Sequence, residues 1–75
     1  MPLEKHNAEK IAITLQKVNP FFSIDIDPHT NNVTALAKTC PLDFEQLIEL
    51  AHIAKENTLW LKRAGSNIGF FISKR

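Results

Sequence analysis

Glu49 and His52 have the types and spacing of metal ligands. They form a Glu-x-x-His pair, and Glu45 and Glu56 lie about one helical turn to either side, so a helix would place all four on one face. A metal centre between helices needs such a pair twice, together with further carboxylates from other helices. The sequence has the pair once, so we expect a solvated helix face and no metal.

Asp25, Asp27 and His29 alternate along a second stretch and could hold a cation at a turn. A calcium loop of the EF-hand type also needs a glycine and a distal glutamate, and this stretch has neither. Residues 27–32 are instead rich in proline, asparagine and aspartate, which favour tight turns. The pattern therefore predicts a turn rather than a cation site.

The lone cysteine, Cys40, precedes a proline at the expected start of the second helix. Backbone N–H groups at a helix start favour the thiolate form, which suits sulfur chemistry. Cys40-Pro41-Leu42-Asp43 resembles the Cys-Pro-x-Pro motif of small sulfur-carrier proteins, with aspartate in place of the second proline. The resemblance implies a thiol-dependent sulfur carrier as an alternative function, beside the interpretation of Cys40 as an ordinary cysteine near a helix cap.

Other signatures of catalysis are missing from the sequence. The only glycines, Gly65 and Gly69, do not form a phosphate-binding loop, and no serine stands in a nucleophile elbow. A chain of 75 residues also leaves little room for a pocket of several hundred Å3. We therefore expect a protein that is not an enzyme and has no cofactor.

Size and composition predict a single small domain over residues 1–75, with 44% hydrophobic residues and a net charge of +1. One cysteine cannot form an internal disulfide, and no apolar stretch approaches the ~20 residues of a membrane span. The charged N-terminal residues differ from a secretory signal, so we expect a cytoplasmic protein. Small domains without disulfides or metals gain stability from good packing or oligomerisation, which raises the expectation of a homodimer.

Hydrophobic periodicity predicts the element order α-β-β-α-β-β. The segments are a helix over residues 3–18, strands over 21–27 and 33–38, a helix opened by Thr39-Cys40-Pro41, and strands over 58–63 and 67–74. In the second helix the expected apolar stripe is Phe44, Leu47, Ile48, Ala51 and Ala54, widened by Leu50 and Ile53. The order predicts an α+β fold, in which a four-stranded antiparallel sheet carries both helices on one face.

Strand alternation predicts aromatic side chains on the other face of that sheet. If Leu61, Ile68, Phe70 and Ile72 face the helices as core residues, then Phe21, Trp60 and Phe71 point away from them. Exposed apolar patches of this kind mark interaction sites. A shift of one residue in strand parity would instead place the rings in the core.

The function expected from this pattern is a small non-enzymatic cytoplasmic binding or regulatory module. It self-associates or binds a protein partner through the aromatic-bearing face, and the expected binding residues are Phe21, Trp60, Lys62, Phe71 and Arg75. Nucleic-acid binding through the basic C-terminal hairpin is a further alternative, because residues 58–75 carry four cations and no acid. The aspartates of the neighbouring strand would repel phosphates.

Overall fold

The computed structural model describes residues 3–39 and 42–75. In chain order, the elements are α1 (Lys5–Val18), β1 (Ser23–Ile26), β2 (Val33–Ala37), α2 (Phe44–Glu56), β3 (Asn57–Ala64) and β4 (Asn67–Lys74). The predicted order α-β-β-α-β-β is confirmed. Neither helix in these two ranges is both long and apolar enough to cross a membrane.

The four strands form one antiparallel sheet in the order β1-β2-β4-β3. The pairing register aligns Phe70 with Ala35 and Leu61, and it aligns Phe71 with Thr34 and Trp60. Side chains on the first of these rows face the helices, because Ala35 and Phe70 belong to the same buried cluster as the inward residues of α1 and α2. The fold is therefore the predicted α+β class, with β1 and β3 at the two edges.

Helix α1 buries one stripe, Ala8, Ile11, Leu15 and Val18, at helical spacing. The sequence predicts a start at Leu3, but the helix begins at Lys5. Leu3 is bound to the β1–β2 turn instead, since its N–H donates to the Thr30 carbonyl at 3.1 Å and its own carbonyl accepts from Asn31 Nδ2 at 2.9 Å. These bonds fasten the chain ahead of α1 to the sheet.

Asn19 is a buried polar residue that joins the end of α1 to the segments before β1 and after β2. Its backbone N–H donates to the Leu15 carbonyl, its Oδ1 accepts from the Phe21 N–H at 3.0 Å, and its Nδ2 donates to the Thr39 carbonyl at 3.2 Å. These hydrogen bonds involve the residues that follow α1, so β1 begins at Ser23. The prediction that the strand starts at Phe21 is therefore wrong, and Phe21 lies in a turn.

Helix α2 begins at Phe44, with Asp43 as its N-cap. Asp43 Oδ1 accepts from the Gln46 N–H at 2.9 Å, and Gln46 Oε1 accepts from the Asp43 N–H at 2.8 Å, which completes a capping box. The prediction that Thr39-Cys40-Pro41 opens the helix was too early, because the described helix begins after Asp43. Cys40 and Pro41 themselves lie outside the described residues.

The inward line of α2 differs from the predicted apolar stripe. Gln46 Nε2 donates to the Val18 carbonyl at the end of α1. Gln46 lies on the same side of α2 as the buried Leu50 and Ile53, so this side of the helix faces α1. The prediction that the rest of the stripe faces the core is wrong for four of its members, which are exposed: Phe44, Leu47, Ile48 and Ala51. These four apolar residues of α2 are therefore left outside the core.

Candidate interaction surface at strand β3

Trp60 and Phe71 lie directly opposite each other on β3 and β4. Their row continues through Thr34 to Asp25 and so crosses all four strands. Because the adjacent residue Phe70 is buried on the helix side, this row lies on the open face of the sheet. Trp60 is 59% exposed and Phe71 is half-buried.

Lys62 completes this surface. Its Nζ lies 5.5 Å from the centroid of the Phe71 ring, within the range of a cation–π contact. The strand partner of Lys62 is Gly69, whose own neighbour on β2 is the half-buried Leu36. We call these four side chains, Leu36, Trp60, Lys62 and Phe71, the aromatic face.

Gly69 allows β4 to approach β2 closely beneath the aromatic face. A Cβ atom built on Gly69 would overlap the carbonyl oxygen of Ala35. No side chain fits at this point without a backbone shift. The close pairing of the two central strands therefore depends on glycine here.

Two of the five predicted binding residues lie elsewhere. Phe21 is 85% exposed in the turn before β1, at the edge of the sheet opposite β3. The guanidinium of Arg75 donates to the Ala54 carbonyl of α2 at 2.9 Å, on the helix side of the sheet. The structure therefore brings together Trp60, Lys62 and Phe71.

The helix side of β3 carries a second exposed apolar surface, which was predicted to be core. It consists of Leu61 and Ile68 on the sheet and Phe44, Leu47 and Ile48 on α2, and we call it the helix-side patch. Leu61 is 84% exposed although its strand partner Phe70 is buried. Leu42, Leu61 and Ile68 line an open groove of about 340 Å3.

The two parts of the helix-side patch are at similar distances along the chain axis from the junction of α2 with β3. Helix α2 leads into β3 without a loop, since it ends at Glu56 and the strand begins at Asn57. Leu61 is about 13 Å along the strand from Asn57, and Ile48 is about 13 Å back along the helix. The excess of apolar residues on α2 over what one helix face needs was the sequence signal for this patch.

The two surfaces meet at an open sheet edge. Among the described residues, β3 pairs only with β4, so the other side of its eight-residue backbone is free. The opposite edge strand, β1, has four residues and carries the exposed Asp25, with Asp27 following. Short length and charge protect β1 from further pairing, whereas Leu59, Trp60 and Leu61 occupy the middle of β3.

The Glu-x-x-His pair lies in an open polar groove of about 400 Å3 between the two helices. Glu49 and His52 line it together with Glu4, Lys10 and Glu56. Within residues 3–39 and 42–75, no group of three or more histidine, cysteine or acidic side chains could hold a metal ion.

The stretch from Asp25 to His29 ends in a capped turn. The Asp27 carboxylate accepts from the backbone N–H groups of His29 at 2.7 Å and Thr30 at 3.1 Å. These bonds hold the pKa of Asp27 below its ordinary value of 3.8. The carboxylate thus stabilises the β1–β2 connection.

The start of α2 carries an acidic cap. Asp43 places a carboxylate on the Gln46 N–H at the helix N-terminus. Cys40, the residue on which the sulfur-carrier alternative depends, is outside the described ranges.

Comparisons of the chain with protein-family models, with curated proteins and with solved structures gave no match.

Proposed function

We propose that this chain is a non-enzymatic protein-binding module that acts through β3 and the two surfaces beside it. The observation that carries the proposal is an open strand edge with Trp60 exposed on one face and Leu61 exposed on the other. Covering the exposed part of Trp60 alone removes about 150 Å2 from water, equivalent to about 3–4 kcal/mol. Aromatic anchors of this kind dominate binding energy in protein interfaces.

Charge indicates the chemistry of the partner surface. The chain from Thr58 to Arg75 contains Lys62, Arg63, Lys74 and Arg75 and no acidic residue. An apolar centre rimmed by cations fits a partner with apolar side chains surrounded by acidic ones. Backbone groups on the free edge of β3 additionally suit an extended segment that adds a strand.

The positions of the cations favour a protein over a nucleic acid. Base stacking needs free aromatic faces with cations that reach phosphates, but Lys62 lies over the Phe71 ring. Arg75 is bonded to Ala54, and Arg63 Nε donates to the Gly65 carbonyl at 3.5 Å. Asp25, in the row of Trp60 and Phe71, would additionally repel phosphate groups.

A cytoplasmic location of the protein stays a prediction.

Photo-crosslinking at position 60 tests the proposal. A benzophenone side chain placed at Trp60 in cells should give a protein adduct of defined mass. The same group at Ile13, an exposed apolar position on α1, is the matched control and should give none. Equal adducts from both positions, or an adduct from position 60 that nuclease removes, would contradict the proposal.

A further inference from the structure

We infer that the partner at β3 is a second copy of this chain. The two β3 strands pair antiparallel about a two-fold axis near Trp60 and Leu61 and so join the two sheets into one of eight strands. This inference rests on the proposed function and names the partner of the same surface.

The free edge of β3 suits pairing with itself. In a two-fold dimer the same surface serves on both subunits, so each contact occurs twice. An axis perpendicular to the sheet keeps the aromatic face of one copy beside the aromatic face of the other, with residues of equal parity opposed. Placing the axis at Trp60 or Leu61 pairs nearly the whole eight-residue strand.

The charges of the chain complement one another in this arrangement. The cations of β3, Lys62 and Arg63, lie in its second half, while residues 57–61 are uncharged. Antiparallel pairing therefore places the cationic half of each strand opposite the uncharged half of the other and near the exposed Glu56 that precedes it. Parallel pairing would oppose like charges, which destabilises cross-strand pairs.

Helix α2 supplies the second layer of the same interface. Its residues Phe44, Leu47 and Ile48 are exposed on the same side of the sheet as Leu61. A stable dimer buries about 800 Å2 per subunit, more than an edge of about 26 Å provides without these side chains.

A charge substitution with a matched control tests the assembly. By sedimentation velocity over a concentration series, the wild-type chain should approach twice 8.5 kDa. Leu61→Asp should weaken dimerisation at least tenfold, whereas Ile13→Asp, the same change at an exposed site away from β3, should leave it unchanged. Leu61 is mostly exposed, so circular dichroism should show the fold intact in both variants.

Disulfide scanning tests the strand register. In a Cys40→Ser background, single cysteines at Thr58, Trp60, Leu61 and Lys62 are oxidised at a concentration where the chain is dimeric. The yield of crosslinked dimer should be highest at position 60 or 61 and lowest at a control Ile13→Cys. A dimer that tolerates Leu61→Asp, or that crosslinks best away from the centre of β3, overturns the inference.

The failure of this inference is distinguishable from failure of the proposed function. A chain that stays monomeric at every concentration but crosslinks a different protein from position 60 is still a protein-binding module, with another partner. A monomer that gives no adduct from position 60 contradicts both.

Discussion

Trp60 and Phe71 are direct cross-strand partners on the open face of the sheet, and the Lys62 ammonium lies 5.5 Å from the centroid of the Phe71 ring. The contact leaves the outer part of Trp60 free, because the cation is directed toward β4. An exposed tryptophan therefore stands at the border of the sheet, beside an open backbone edge. The proposed binding surface is built on this juxtaposition.

Trp60 should contribute little to folding, in contrast to its neighbours in the core. Trp60→Ala should change the free energy of unfolding of the monomer by less than about 1 kcal/mol, while Phe70→Ala, at a buried site packed edge-on against Phe22, should cost about 3–5 kcal/mol. Urea unfolding followed by circular dichroism at low protein concentration measures both. Equal losses would place Trp60 in the core.

Gly69 should be irreplaceable in the pairing of β2 with β4. Gly69→Ala drives a methyl group into the Ala35 carbonyl and should destabilise the fold by more than about 3 kcal/mol. The matched control is Gly65→Ala in the β3–β4 turn, where the space is open and only the positive φ of 63° opposes a side chain, at about 1–2 kcal/mol. Thermal unfolding of the two variants compares these costs, and a larger loss at Gly65 would contradict the close approach.

Replacing the buried Asn19 should destabilise the fold more than replacing an exposed asparagine. Asn19→Ala removes the acceptor for the Phe21 N–H and the donor to the Thr39 carbonyl, at a cost of about 2 kcal/mol. Asn7→Ala, on the exposed surface of α1, should cost less than about 0.5 kcal/mol because alanine favours the helix. Denaturant unfolding of both variants compares the two free energies. Similar losses of unfolding free energy would argue against a structural role for the Asn19 hydrogen bonds.

Asp27 should give the fold a component of stability that disappears in acid. Its pKa is lower in the folded chain than the ordinary 3.8, because the ionised carboxylate accepts backbone N–H bonds from His29 and Thr30. The stabilisation is therefore complete above the unfolded pKa and is lost as pH falls through the lower folded pKa. The stability difference between wild type and Asp27→Asn should be larger at about pH 6 than below about pH 4. A difference independent of pH would remove this role for the carboxylate.

Much of the fold follows from periodicity in the sequence. Alternation within β3 and β4 placed Trp60 and Phe71 on one face and Phe70 on the other, as the register shows. Local patterns do not reveal how a helix is rotated on a sheet, since that depends on contacts distant in sequence. The bond from Gln46 to Val18, across 28 residues, is such a contact. With α2 in this orientation the first half of the helix is exposed, and its apolar residues form part of the helix-side patch.

The position of Arg75 shows the same limitation. Strand parity alone assigned it to the aromatic face, but Arg75 follows the end of β4 at Lys74, where strand pairing no longer fixes the direction of a side chain. A carbonyl group at the end of α2 accepts its guanidinium, as orphan carbonyls at helix C-termini commonly attract cations. The long-range arrangement of α2 against the sheet, rather than the local pattern, decided where this cation lies.

Amide hydrogen exchange along β3, compared at low and high protein concentration, tests the central claim most directly. Association along the open edge should slow exchange of alternate N–H groups between Thr58 and Lys62 as concentration rises, while exchange in β1 stays unchanged. Exchange in β3 that is independent of concentration, or slowed equally in β1, would contradict the claim that β3 is where a second copy binds.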